Sequence, residues 1–182
     1  MKSLVLGGVR SGKSQYAEGI VKDYFASQPQ VKNVTLIATA LALDESMSER
    51  IANHQKDRPS DWTTKEVPVE LAAALRGLST GADTVVLIDC LTLWLTNLLM
   101  AEDLALMKRE IADFLSAVEE CETPLVIVSN ETNMGVMPMS SLSRLYCDEI
   151  GMLHQQLAKI CDSVLLIVAG LPMTLKSGEV SG

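Results

Sequence analysis

The sequence predicts an α/β fold, a mostly parallel sheet with helices on both faces, and three observations carry that prediction. Aliphatic and β-branched runs (Leu4-Val5-Leu6, Val34–Ala38, Thr84–Asp89, Leu125–Val128, Val164–Ala169) recur along the chain with little polar alternation, as strands buried on both faces do. Stretches of helical spacing lie between them. The first run passes directly into Gly7-Gly8-Val9-Arg10-Ser11-Gly12-Lys13-Ser14, which fills every fixed position of the phosphate-loop pattern G-x-x-x-x-G-K-[ST].

The elements follow in order. Lys2–Leu6 reads as a strand, and Lys13–Phe25 as a helix with Tyr16, Ala17, Ile20, Val21 and Tyr24 on one side. After a turn at Gln28-Pro29-Gln30, Val34–Ala38 is a buried strand. Ser46–Arg58 is helical and stops before Pro59, which disfavours helical geometry in the residue preceding it. Trp62–Val67 alternates as a short strand, and Val69–Leu78 is an Ala/Leu-rich helix ended by a turn around Gly81. Thr84–Asp89 is the clearest central strand, followed by helices over Leu91–Met100 and Glu102–Cys121. Leu125–Val128 is a strand closed by Ser129-Asn130-Glu131, and Thr132–Ser140 is a loop. Ser141–Cys161 is a long helix offering Leu142, Leu145, Ile150, Leu153, Leu157 and Ile160 to the core. Val164–Ala169 and an edge strand over Pro172–Lys176 complete one domain over residues 1–176, with 177–182 a small, polar, disordered tail.

Composition limits the function classes. A chain of 182 residues builds one core, and with aromatics at only 4% that core is aliphatic. A net charge of −8 argues against nucleic acid as a partner. It leaves room for a nucleotide, because screening over roughly 8 Å lets local donors outweigh a distant acidic surface. The four cysteines have neither C-x-x-C nor metal-site spacing, which fits buried thiols in a reducing cytoplasm. No signal peptide is expected, since the first apolar run is interrupted by the glycine loop, and no membrane span, since the longest apolar run, Leu91–Ala101, is short and broken by polar residues.

In the phosphate loop, Gly7 to Gly12 turn backbone N–H groups toward phosphate oxygens, Lys13 reaches the terminal phosphates, and the Ser14 hydroxyl is placed to ligate Mg²⁺. The chain therefore binds a nucleoside triphosphate. Ligands of such sheets sit at the carboxyl ends of the strands, which puts Thr39, Asp89 and Asn130-Glu131 around the same crevice. Asp89 ends an apolar strand, where an acidic residue would hold Mg²⁺ or its water shell; the competing reading is an N-cap for the following helix. Arg50, His54 and Arg58 share a helix face at i, i+4 and i+8 and would form an anion contact around an imidazole kept neutral by its cationic neighbours. Periodicity alone favours a solvated face there. Glu131 is open between a base, a Mg²⁺ contact and an ordinary loop carboxylate, and His154, beside Leu153 and Leu157, reads as a structural histidine.

These residues resemble the bifunctional adenosylcobinamide kinase / adenosylcobinamide-phosphate guanylyltransferase family of cobalamin biosynthesis. The resemblance runs over nearly the whole chain. It rests on the loop Gly7–Ser14, on Ile37-Ala38-Thr39, and on Arg50-Ile51-Ala52-Asn53-His54 leading to Arg58-Pro59. It continues through Asp89-Cys90-Leu91-Thr92-Leu93-Trp94-Leu95-Thr96-Asn97-Leu98-Leu99, Ser129-Asn130-Glu131 and Gly135-Val136-Met137-Pro138. Departures include Val9 where Ala is usual, and Ser46, Cys147, His154 and Thr132-Asn133.

The resemblance implies a RecA-like sheet and a homotrimer with active sites between subunits. It makes His54 the acceptor of GMP from GTP, which reverses the reading of the Arg50/His54/Arg58 face. It also implies ATP and GTP as substrates and adenosylcobinamide as the corrinoid partner. The expected reactions are phosphorylation of a corrinoid side-chain hydroxyl and then transfer of GMP onto that phosphate. Alternatives from other classes are a plain phosphate-loop kinase, in which His54 would be idle, and a nucleotide-dependent switch or binding module.

Overall fold

In the computed structural model, which describes residues 1–41, 61–78 and 83–178, the apolar runs become strands of one sheet. β1 (Lys2–Gly7) leads through the glycine loop into α1 (Lys13–Ser27), and β2 (Asn33–Ala38) follows. β3 (Thr63–Glu66) and the short α2 (Leu71–Arg76) precede β4 (Thr84–Asp89). Then come α3 (Leu91–Met100), α4 (Leu104–Glu120), β5 (Leu125–Asn130), α5 (Ser141–Ile160), β6 (Ser163–Val168) and β7 (Leu171–Lys176). The helix expected over Ser46–Arg58, the turn at Gly81 and residues 179–182 of the tail lie outside the described residues.

The strand order is β3-β2-β4-β5-β1-β6-β7, parallel throughout except where β7 returns antiparallel on β6. β1 is hydrogen-bonded on both sides, Gly7 lying opposite Asn130 of β5 and Ile167 of β6. The switch from β6 to β7 is a tight turn at Ala169 and Gly170, both with positive φ (52° and 80°). Ala169 is thereby lost from the strand it was expected to end.

Near-continuous apolarity in the strands matches burial on both faces. Leu4, Leu6, Val86, Ile88 and Ile127 face a cluster containing α3, α4 and α5 side chains, while Val5, Val85, Leu87, Val126 and Val128 face Ala17 and Val21 of α1. Trp94 and Phe114, both fully buried, meet with ring centroids 5.1 Å apart and planes tilted by 54°. At the far end, Lys176 donates to the carbonyls of Ala158, Lys159 and Cys161, which the end of α5 leaves without helical partners.

Two expectations are corrected. The helix predicted from Val69 begins only at Leu71, because the Val69 carbonyl is taken by the Trp94 indole and by the Leu71 amide in a tight turn. Leu142, expected in the core, is 53% exposed, since the fully buried positions of α5 begin only at Ile150, about two turns further along the helix. Among the described residues, no helix is long and apolar enough to cross a membrane.

Asn97 of α3 joins the carboxyl edge of the sheet together. Its buried amide donates to the carbonyls of Thr39 (2.8 Å) and Pro68 (3.0 Å), so it ties the segments leaving β2 and β3 to α3. Replacement by Leu keeps the volume and strands both carbonyls. Asn97→Leu is expected to lower unfolding free energy by about 1–3 kcal/mol in urea titrations.

Candidate active site

The loop between β1 and α1 is shaped by close approach. A Cβ on Gly7 would stand 2.8 Å from the Ile167 carbonyl of β6, so a side chain there would push the two strands apart. Gly12 takes a φ of 92° as the cap residue of α1 and supplies no side-chain cap, leaving the amides of the first helical turn to the crevice. Within the loop, Ser11 N donates to Gly8 O (3.3 Å), and Ser11 O accepts from Gly170 N (2.8 Å). Lys13 folds back so that its amine donates to Gly8 O at 3.2 Å. Gly8, Val9 and Arg10 are exposed on the rim, while Ser14 is half-buried in the first turn of the helix. An anion in this cradle meets backbone dipoles, the positive end of α1 and one ammonium.

Asp89 ends β4, half-buried at the same edge. It is not the N-cap of α3. That position belongs to Cys90, and no side chain caps the helix, so the alternative reading of Asp89 falls away. Its carboxylate lies close enough to Cys90 that burial and this charge push the thiol up to about 11, with Lys13 opposing. Ser14 and Asp89 together offer a hydroxyl and a carboxylate oxygen, the hard donors that suit Mg²⁺ with water completing its shell. Among the described residues no group of three or more His, Cys, Asp or Glu forms a denser metal site.

Thr39 is brought to the edge but is wholly buried. Its hydroxyl donates to Cys90 O (2.6 Å) and accepts from Cys90 N (3.1 Å), so it braces the turn after Asp89 rather than facing the crevice.

Glu131 stands beside the loop, its amide donating to Gly7 O at 3.0 Å. One carboxylate oxygen accepts from Asn133 N (2.7 Å), and the other lies 3.7 Å from Nδ1 of His154, too far for a hydrogen bond. His154 is 7% exposed, and its Nε2 meets the buried Ser129 hydroxyl at 2.7 Å. Burial lowers the imidazole pKa below 6.5, with Glu131 pulling the other way. The histidine is therefore structural in burial yet linked to a site carboxylate. Sequence reasoning missed this Ser129–His154–Glu131 line because 25 residues separate the two bonded side chains. It also missed Thr92, whose hydroxyl accepts from Asn130 N at 2.8 Å and holds the end of β5 against α3.

The structure thus gathers Gly7–Ser14, Asp89 and Glu131 along one edge, with Thr39 behind them. Arg50, His54 and Arg58 lie outside the described residues. Residues 3–175 match the family model described as cobinamide kinase / cobinamide phosphate guanyltransferase. The chain belongs to this family. It is 46% identical over 176 residues to the bifunctional adenosylcobalamin biosynthesis protein CobP of Pseudomonas aeruginosa, covering 97% of this chain and 98% of that one. It is 36% identical to the bifunctional adenosylcobalamin biosynthesis protein CobU of Salmonella typhimurium, covering 97% of this chain and all of the relative. The CobU of Escherichia coli is 35% identical over the same shares.

Two outcomes follow from the geometry. Asp89→Asn removes a charge but no cap, so phosphoryl transfer should fall by about a hundredfold while stability stays within about 0.5 kcal/mol of the parent. Parallel turnover and melting measurements check this. For His154, the folded pKa is depressed below the unfolded value of 6.5, so the unfolded chain binds more protons as pH falls through 6.5 toward the folded value. Stability should therefore drop with acidification in that window. His154→Asn should lose part of this slope in urea titrations between pH 7 and 5.

Proposed function

We propose that the chain phosphorylates the side-chain hydroxyl of adenosylcobinamide with a nucleoside triphosphate and then transfers GMP from GTP onto that phosphate, giving adenosylcobinamide-GDP. The observation that carries this reading is a complete phosphate loop, with Lys13 folded over it, at the centre of the sheet of a chain in this family. The relatives named bifunctional adenosylcobalamin biosynthesis proteins support it over nearly their full length.

In the first step the hydroxyl oxygen attacks the γ-phosphorus, the bond to the β-bridging oxygen breaks, and the hydroxyl proton is released. Lys13 and the amides of Gly8 to Ser14 hold the phosphates and meet the charge that develops on them. Ser14 and Asp89 would hold Mg²⁺, which when bound offsets the charge of the β- and γ-oxygens. Glu131, beside the loop, is a nucleotide-contact residue in this reading, and Thr39 acts through the turn it braces.

In the second step a ring nitrogen of His54 attacks the α-phosphorus of GTP and pyrophosphate leaves. A phosphate oxygen of the corrinoid then attacks the same phosphorus, and the P–N bond breaks. Arg50 and Arg58 hold the oxygens of the attacked phosphate. This reading also carries a homotrimer with shared active sites and a cytoplasmic setting, the latter in keeping with four free cysteines.

Purified protein given adenosylcobinamide, ATP and GTP should turn over through both steps. Lys13→Ala should abolish both in a folded protein. GTP labelled at the α-phosphate should leave base-stable, acid-labile label on the parent. His54→Ala should lose that label and the GMP transfer while retaining kinase turnover. Undiminished labelling of His54→Ala would remove His54 from the mechanism.

A further inference from the structure

We propose that His154 is the positioning residue and counter-charge of Glu131: when phosphates fill the Gly7–Ser14 loop, the Glu131 carboxylate closes onto Nδ1 of the buried imidazole, and the ring takes up one proton from solvent. The inference rests on the phosphate-loop reading and assigns a partner to the carboxylate beside that loop.

Glu131 stands where a bare carboxylate is unfavourable. It leaves β5 next to β1, and its amide is bonded to the carbonyl of Gly7, the first residue of the loop. Its side chain is only 17% exposed, so water screens it poorly. A triphosphate in the loop carries several negative charges, and a carboxylate beside them is repelled unless a positive group stands against it. Among the described residues, the only basic group within 4.0 Å of the Glu131 carboxylate is His154.

One face of α5 is shaped to hold Glu131 against this ring. Cys147, Gly151 and His154 stand at i, i+4 and i+7. Asn133 Nδ2 donates to Cys147 O at 2.8 Å, and a Cβ on Gly151 would stand 2.9 Å from that same nitrogen. A side chain at 151 would therefore displace Asn133. Glycine is disfavoured inside a helix, and the seat it leaves for Asn133 accounts for it here. Asn133 N in turn donates to Oε1 of Glu131 at 2.7 Å, which turns Oε2 toward Nδ1 of His154.

The ring is one hydrogen bond short. Nε2 meets Ser129 Oγ at 2.7 Å, whereas Nδ1 is buried without a hydrogen-bond partner. Oε2 of Glu131 lies 3.7 Å from it, so a movement of under about 1 Å makes the missing bond. The Ser129 hydroxyl serves both charge states. It donates to Nε2 of the neutral ring, whose Nδ1 carries the hydrogen, and accepts from Nε2–H of the imidazolium. On closing, one proton passes from solvent to Nε2, Nδ1–H donates to Oε2, and the ring carries +1 against the carboxylate. No other covalent bond changes.

No second charge competes for the ring. Burial lowers its pKa and Glu131 raises it. Against α5 pack α3, which carries no charged residue, β1 with Lys2, and α4 with Lys108, Arg109, Glu110, Asp113, Glu119 and Glu120. None of these seven charged groups moves the imidazole, and residues 132–140 include no charge. The empty site therefore keeps the ring neutral at pH 7. Phosphate charge in the loop and a closer carboxylate both favour the imidazolium.

The test is NMR titration of the whole protein, labelled at histidine, with and without inorganic tripolyphosphate. The chain has two histidines, and the resonance lost in His154→Asn identifies the buried one. Its pKa should rise by about one pH unit when the loop is filled. In Glu131→Gln, which is isosteric and keeps an oxygen for Asn133 N, the rise should shrink to less than about a third of that. Between pH 7 and 5 the parent's affinity for tripolyphosphate should gain about fivefold more than that of His154→Asn, because proton uptake and phosphate binding are linked. Glu131→Gln keeps the test open if His154→Asn disturbs the core. A His154 pKa that bound tripolyphosphate leaves unmoved would overturn the pairing. So would a rise undiminished in Glu131→Gln, which would assign it to the field of the phosphates alone. Failure of the parent to bind tripolyphosphate, or binding that survives Lys13→Ala, would instead overturn the phosphate-loop reading and this inference with it.

Discussion

The carboxyl edge of the sheet depends on how closely β1 and β6 approach at Gly7. With the Ile167 carbonyl 2.8 Å from where a Cβ would be, the two strands are paired up to the point at which the chain turns into the loop. β5 pairs on the other side through Asn130. The loop therefore springs from a strand held on both flanks, and its amides enter the crevice from a fixed base. Preorganisation of this kind matters for phosphate, because donors that need not reorganise keep their full electrostatic worth.

The electrostatic design is local. The protein is acidic overall, at −8, yet the cradle presents one ammonium, a glycine-capped helix start and a line of backbone dipoles. Asp89, at the end of β4, and Glu131, just after β5, reach the same edge from two strands and one strand away on one side of β1. Glu131 is held by the amide of exposed Asn133 on one side and faced by a buried imidazole on the other. Thr39 and Asn97 do comparable work beneath the surface, spending buried polar groups on the turns that carry the site.

Much of the fold was legible in the sequence because its strands are buried on both faces and its loop motif is rigidly spaced. Thr84–Asp89 was bounded to the residue, and the helices after it to within a few positions. The errors fall where tertiary contacts decide. Val69 has a helix-compatible neighbourhood, but its carbonyl is claimed by an indole 25 residues away. Leu142 has the right spacing for the core, but the fully buried stretch of α5 starts only at Ile150. At the site, Lys13, Ser14 and Asp89 were readable from motif and strand context. The bracing role of Thr39 and the line from Ser129 through His154 to Glu131 were not, because each is a contact between distant segments with no periodic signature.

The clasp between Thr39 and Cys90 has a mechanical consequence. One hydroxyl both gives and takes a hydrogen bond across the gap between the ends of β2 and β4, and the Thr39 amide adds a third link to Asp89 O at 3.4 Å. The two strand ends are thus geared together at the residue next to the acidic side chain. A pull on the segment that departs at Ala40 is delivered to the backbone of Asp89 rather than absorbed by slack in the turn. The sheet edge acts there as a lever with a short arm, in which force at one strand exit becomes displacement at its neighbour.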